Sequence, residues 1–251
     1  MRTFLTLFGR EIKSYFYSPI GFIVLCFFLL LTGFNFYAAV SLLNRGPTEV
    51  TVVEAFFNTV IFWFGFVLIF PLITMRLFSE EMKMGTIEAL MTAPVRDWQV
   101  VMSKFLGAMV FYALLWLPSA IYFWSFQMLS NKQSADAAGA YWGSYLLLLL
   151  IGMFYIAVGC LASVLTRNQI IAAVISFVVI TLLFFSGLLS FIVLNMSPTL
   201  REVVGYFSAI EHMGTFSKGI IDTRAIVWYL SMTAFILFLT HQIFQSRKWR
   251  V

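Results

Sequence analysis

A chain of 251 residues that is 61% hydrophobic and only 11% charged, with a mean hydropathy of +0.94, lies far outside the balance of a water-soluble domain, so lipid must be its main solvent. At about 20 apolar residues per helical crossing the chain has room for about six spans and short connections; this leaves no second folded unit and makes residues 1–251 a single transmembrane domain. The net charge of +5 does not point to nucleic acid, because the basic residues sit in short patches at span ends and not along one face, and anionic lipid headgroups are the expected partner.

The first element is amphipathic. Phe4, Leu5, Phe8, Ile12, Tyr15 and Phe16 fall on one arc at 100° per residue, with Arg2, Thr6, Arg10, Lys13 and Ser14 opposite, which predicts a helix lying on the inner leaflet before Pro19 turns the chain into the bilayer. A cleaved signal is not expected, since the run Ile20 to Leu43 exceeds the usual ~7–15 residues of a signal core. Charge-free apolar runs then predict helical spans over 21–43, 56–75, 100–129, 142–165, 170–195 and 225–244, with a kink at Pro118. An all-α bundle follows, because lipid leaves unpaired backbone groups unsatisfied and no strict alternation suggests a barrel. Cys26 and Cys160 lie inside apolar runs and read as small buried hydrophobes.

With the N-terminus cytoplasmic, eleven of the sixteen basic residues fall on the inner side, among them Arg10, Lys13, Arg76, Lys83, Arg96, Lys104 and Arg167; Arg45, Lys132, Arg201, Lys218 and Arg224 fall outside. The positive-inside bias therefore predicts both termini in the cytoplasm.

The longest inner connection joins the second and third runs, from Arg76 to Trp98. It holds four of the five inner acidic residues, Glu80, Glu81, Glu88 and Asp97, the fifth being Glu11. Met84, Ile87, Leu90 and Met91 recur at helical spacing, Pro94 stops the pattern, and Asp97 can cap the next helix. The pattern predicts a short amphipathic helix with water-facing carboxylates and a Met-rich face, either a docking knob for a partner or a solvated loop against headgroups.

The run Glu81-x-x-x-Gly85-Thr86-Ile87-Glu88-x-Leu90-x-x-x-Pro94-Val95, followed by Lys104 at the opening of the next span, resembles the signature of type-2 ABC transporter permeases. The resemblance extends over the whole chain: amphipathic N-terminal helix, six spans, and a turn in the lipid before the last span. It implies a subunit that pairs with itself or a close paralogue, with spans one, two and five at the seam, and that sits on a separate cytoplasmic ATPase. It also makes the connection after span two the coupling helix, assigning Glu80, Glu81, Met84, Gly85, Thr86, Ile87, Glu88, Leu90 and Pro94 to the ATPase contact. The segment from Glu211 to Asp222 further resembles permeases of the gliding-motility and copper-enzyme-maturation branches, and a third accessory subunit would fit that reading.

The remaining residues agree with it. No G-x-x-x-x-G-K-[ST] run is present, so no cofactor is expected in this chain, ATP and Mg belonging to the partner ATPase. No Asp, Glu, Lys or Arg lies in the cores of the runs, against an ion-coupled carrier, and lone His212 and His241 with no carboxylate pair at catalytic spacing argue against an enzyme. His212 is expected to bond locally and His241 to snorkel to the interface. Between the fifth and sixth runs, Ser197 and Pro198 can start a helix with Leu200, Val203, Val204 and Phe207 on one face, which the resemblance implies is re-entrant. Asn35 and Thr181 are candidates for lining a pathway or for interhelical hydrogen bonds. The expectation is an ATP-driven permease, an exporter, in the plasma (inner) membrane. The alternatives are an ion-coupled carrier or a non-transporting anchor of a larger complex.

Overall fold

The computed structural model describes residues 2–44, 50–57, 59–87, 90, 95–129, 138–192 and 205–248. Glu88, Met91, Pro94 and the outer residues Ser197, Pro198, Leu200, Val203 and Val204 lie outside them. Every regular element among the described residues is an α-helix: α1 (Arg2–Phe16), α2 (Pro19–Leu43), α3 (Val52–Phe57), α4 (Val60–Thr74), α5 (Ser79–Met84), α6 (Asp97–Leu129), α7 (Ala138–Leu165), α8 (Gln169–Ile192), α9 (Ala209–Phe216) and α10 (Thr223–Lys248). Among the described residues five stretches are long and apolar enough to cross a membrane, Pro19–Leu43, Ile61–Met84, Asp97–Phe126, Gly139–Leu165 and Thr223–Ser246; the fifth predicted run appears as α8, with a shorter apolar stretch over Gln169–Phe185. The chain is a multi-pass, all-α membrane protein.

α7 is the best enclosed of the long helices and α2 and α10 the least. Around α7 stands a column of aromatic rings: Phe66 meets Phe70 at 4.9 Å between ring centres, and Phe70 meets Tyr112 at 5.4 Å and Tyr155 at 5.1 Å. Lipid tails are as apolar as these side chains, so close packing and ring geometry, not exclusion from water, hold them together. α2 buries Gly21, Val24, Phe28, Thr32, Asn35 and Ala39, a single stripe at spacings of three and four. Its other face turns Phe22, Leu30, Phe34 and Tyr37 outward, and Cys26 is exposed there, not buried as expected; Cys160 is buried. α6 runs unbroken through Pro118, as α4 does through Pro71.

The second run departs from the prediction. One helix was expected from Phe56; instead α3 ends at Phe57 and α4 starts at Val60, with Thr59 extended at φ −79°, ψ 122°. The carbonyls freed at this break find side-chain donors. Asn35 Nδ2 donates to Phe56 O at 2.7 Å, Trp63 Nε1 to Phe57 O at 2.8 Å, and Thr59 Oγ1 to Ala55 O at 3.2 Å. A continuous apolar run hides such a break, because one of the donors that satisfies it is an asparagine on another helix.

α1 also differs. Instead of resting its whole apolar arc on lipid, it packs along α6: Tyr15 stacks on Phe111 at 4.7 Å and Phe4 on Trp98 at 6.5 Å, while Leu5 and Phe16 stay exposed. A side chain at Gly107 would place its Cβ 2.8 Å from the Glu11 Cβ, so glycine lets α1 approach this closely. Ser18, extended at φ −94°, and Pro19 at the first helical position then turn the chain into α2. At the other end of the bundle Ser208 caps α9, accepting from Glu211 N at 3.2 Å, and Gly219 at φ 82° turns the chain toward α10. Lys218 Nζ lies 3.8 Å from Glu54, joining this turn to α3.

Candidate coupling site

α4 gives way to α5 through a turn at Met75–Phe78, and α5 begins without a capping side chain of its own. Ser163, on α7, supplies one: its Oγ accepts from Phe78 N at 3.0 Å and Ser79 N at 3.2 Å, and donates to Met75 O at 3.3 Å. Gly85, in the left-handed region at φ 73°, ends α5 where a β-carbon would be strained. Helical conformation resumes at Thr86 and Ile87, so the single helix expected over this stretch is divided at Gly85.

Glu80 and Glu81 are not the free acidic face predicted. Glu80 receives both Nε and Nη2 of Arg76 at 2.8 Å, and Arg76 also meets the Ser18 hydroxyl. Glu81 lies in a closed ring of alternating charge. Arg10 Nη2 is 2.7 Å from Glu81 Oε1 and 2.9 Å from Glu11 Oε1, and Lys104 Nζ is 3.1 Å from each of the same two oxygens. Lys104 is only 2% exposed and sits 5.4 Å from the centre of the Phe78 ring. Arg10 is half exposed; burial opposes its charge, but the hydrogen bond to Glu11 and the charge of Glu81 raise its pKa above the usual value. The ring therefore joins α1, α5 and α6, and borders a cleft of about 390 Å³ whose lining includes Ser14, Ser18, Arg76 and Thr86.

The predicted coupling residues thus separate by position. Lys83, Met84, Gly85 and Thr86 form an exposed tip, with Met84 62% exposed. Ile87 is buried and Leu90 packs against the core, so of the described members of the predicted stripe Met84 alone faces outward; Glu80 and Glu81 are engaged in internal ion pairs. Asn35 is fully buried and braces the break between α3 and α4, the hydrogen-bonding use considered beside pathway lining. Thr181 is half-buried on α8, and its hydroxyl oxygen has no hydrogen-bond partner among the described residues. His212 pairs with Tyr229 of α10 at 3.2 Å. Sequence reasoning missed Ser163, Arg10, Glu11 and Ser18 as parts of this site. Their only signal was position near span ends, and their partners lie 58 to 93 residues away.

No curated protein is similar enough to the chain to match it. The family described as ABC-2 family transporter protein matches residues 17–183, well over half the chain, from the turn before α2 through most of α8. This stretch includes all of α5 and Lys104 but not α1. The segment from Glu211 to Asp222, on which the narrower branch resemblance rests, lies beyond it. A polytopic helical chain that this family matches from α2 through most of α8, with only α1, α9 and α10 among its described helices outside the match, belongs to the ABC-2 transporter family.

Proposed function

We propose that this chain is the membrane-spanning permease subunit of an ATP-driven exporter, with six crossings, both termini in the cytoplasm, and a location in the plasma (inner) membrane. The observation that carries the reading is the tip at Lys83–Thr86: an exposed, Met-bearing knob whose base is fixed by Ser163 and by six charged side chains, as a contact that must transmit force requires. A cytoplasmic ABC ATPase is the partner at this tip and carries ATP and Mg. A second permease copy, or a close paralogue, packs on the outward faces of α2, α4 and α8, where Phe22, Leu30, Ile61, Phe64, Val174 and Leu182 are exposed. The branch resemblance adds a third accessory subunit. Transport proceeds by ATP-driven rearrangement of the dimer.

Copurification from native membranes tests this directly. The complex should contain an ABC ATPase and hydrolyse ATP, while the isolated chain should not; hydrolysis by the isolated chain contradicts the assignment. For orientation, a cysteine at Ile221 should react with an impermeant thiol reagent added outside, and one at Ser246 should not; the reverse pattern contradicts the positive-inside topology.

A further inference from the structure

The permease reading assigns the tip of α5 to the ATPase but leaves α1 without a role beyond anchoring. Arg10 and Glu11 lie outside the family match, yet they close the charge ring with Glu81 and Lys104. We propose that this ring makes α1 a moving part of the coupling joint, with Lys104 as the positioning residue that latches α1 and α5 to the start of α6.

Three features carry the proposal. Each cation touches both carboxylates and each carboxylate both cations, with Lys104 and Glu11 withdrawn from solvent, so displacing α5 alone would strand charges that the other members had neutralised. Lys104 is buried on α6 between the two carboxylates and over Phe78, the residue that precedes α5. The backbones approach closely at the same level, since Gly107, one turn after Lys104, is where α6 meets Glu11 of α1. A helix that only floated on headgroups would need neither a glycine contact nor a buried ammonium ion. The inference rests on the permease reading, because it requires α5 to be driven by nucleotide.

The test uses the native complex with its ATPase. Spin labels are placed at Leu5 on the exposed side of α1 and at Ser246 near the end of α10, in a Cys26→Ala background, and their separation is measured without nucleotide and after trapping with MgATP and orthovanadate. The comparison variant is Glu11→Gln/Glu81→Gln/Lys104→Met, which removes both carboxylates together with the buried ammonium, leaves only the half-exposed Arg10 charged and keeps side-chain volume, so that folding is spared. The expected result is a nucleotide-dependent shift of the Leu5 label in the wild-type complex that disappears in the triple variant while the ATPase stays bound. A complex that hydrolyses ATP with α1 stationary, or with the same shift in the triple variant, overturns the latch and leaves the permease reading intact. If no ATPase accompanies the chain, the permease reading fails and the latch with it.

A second readout separates the ring from simple docking of Glu81 on the partner. Exchanging one pair, Glu81→Lys/Lys104→Glu, creates two like-charge contacts in a closed ring, whereas inverting all four positions restores alternation. ATPase activity should be low in the pair exchange and return toward wild type in the full inversion. Recovery in the pair exchange alone, or none in the full inversion, contradicts the ring.

Discussion

Two interruptions of helical backbone, one between α3 and α4 and one between α4 and α5, are stabilised by different chemistry. At the first, inside an apolar run, neutral donors from Asn35, Trp63 and Thr59 take the freed carbonyls. At the second, at the end of the bundle rich in basic residues, a serine hydroxyl caps the backbone and six charged side chains hold the segment. The difference follows from solvent. A charge deep in hydrocarbon costs several kcal/mol, so an interruption there must be satisfied by neutral groups, whereas near the interface ions can be desolvated in compensating pairs. The first arrangement fixes the shape of a span. The second builds a platform that can meet a water-soluble partner.

Breaking the charged platform should have the largest effect. Lys104→Met leaves Glu11 and Glu81 facing one another with only Arg10 between them, and removing one member of a buried ion cluster costs roughly 3–5 kcal/mol. Detergent-solubilised protein should show a large loss of thermal stability by size-exclusion chromatography, and the triple variant, whose one remaining ring charge is the half-exposed Arg10, should recover most of it. Next comes the neutral interruption. Asn35→Leu preserves bulk but leaves the Phe56 carbonyl unpaired, at a cost of about 1–3 kcal/mol. The same melting assay should give a clear but smaller loss, and an unchanged melting point would mean that α3 and α4 need no brace.

Gly107→Ala probes the helix contact beneath the ring. Overpacking of this kind costs about 1–3 kcal/mol and should lift α1 from α6. A cysteine at the half-buried Phe4 position should then react faster with a thiol reagent than in the parent. The smallest effect is expected at Glu80→Gln. Its pair with Arg76 is partly exposed on both sides, so its loss should cost no more than about 1 kcal/mol. Equal damage from Glu80→Gln and Lys104→Met would show that burial does not set the ranking.

The long helices were legible because a charge-free run of span length has few alternatives. The runs predicted at 21–43 and 100–129 became Pro19–Leu43 and Asp97–Leu129, each beginning a few residues earlier because backbone hydrogen bonding continues into the interface after the apolar side chains end. The platform was only half legible. The loop sequence marked the right segment, and Gly85 signalled its turn, but nothing local showed that Glu81 would turn inward to Lys104 or that Ser163 would cap α5. Those contacts exist only after distant helices pack. The charges of α1 misled for a related reason: amphipathic periodicity identifies a helix that can lie on a bilayer, but one contact glycine and one buried lysine decided that it also packs on protein.

The central claim is that the tip of α5 is where nucleotide hydrolysis reaches the membrane. A photo-crosslinking amino acid at Met84, an exposed side chain of the predicted coupling set, tests it in native membranes. The account predicts a covalent product with the ABC ATPase from Met84 and none from the same probe at Ile221 near the opposite end. A product from Ile221, or an ATPase-containing complex that never crosslinks through Met84, would contradict it.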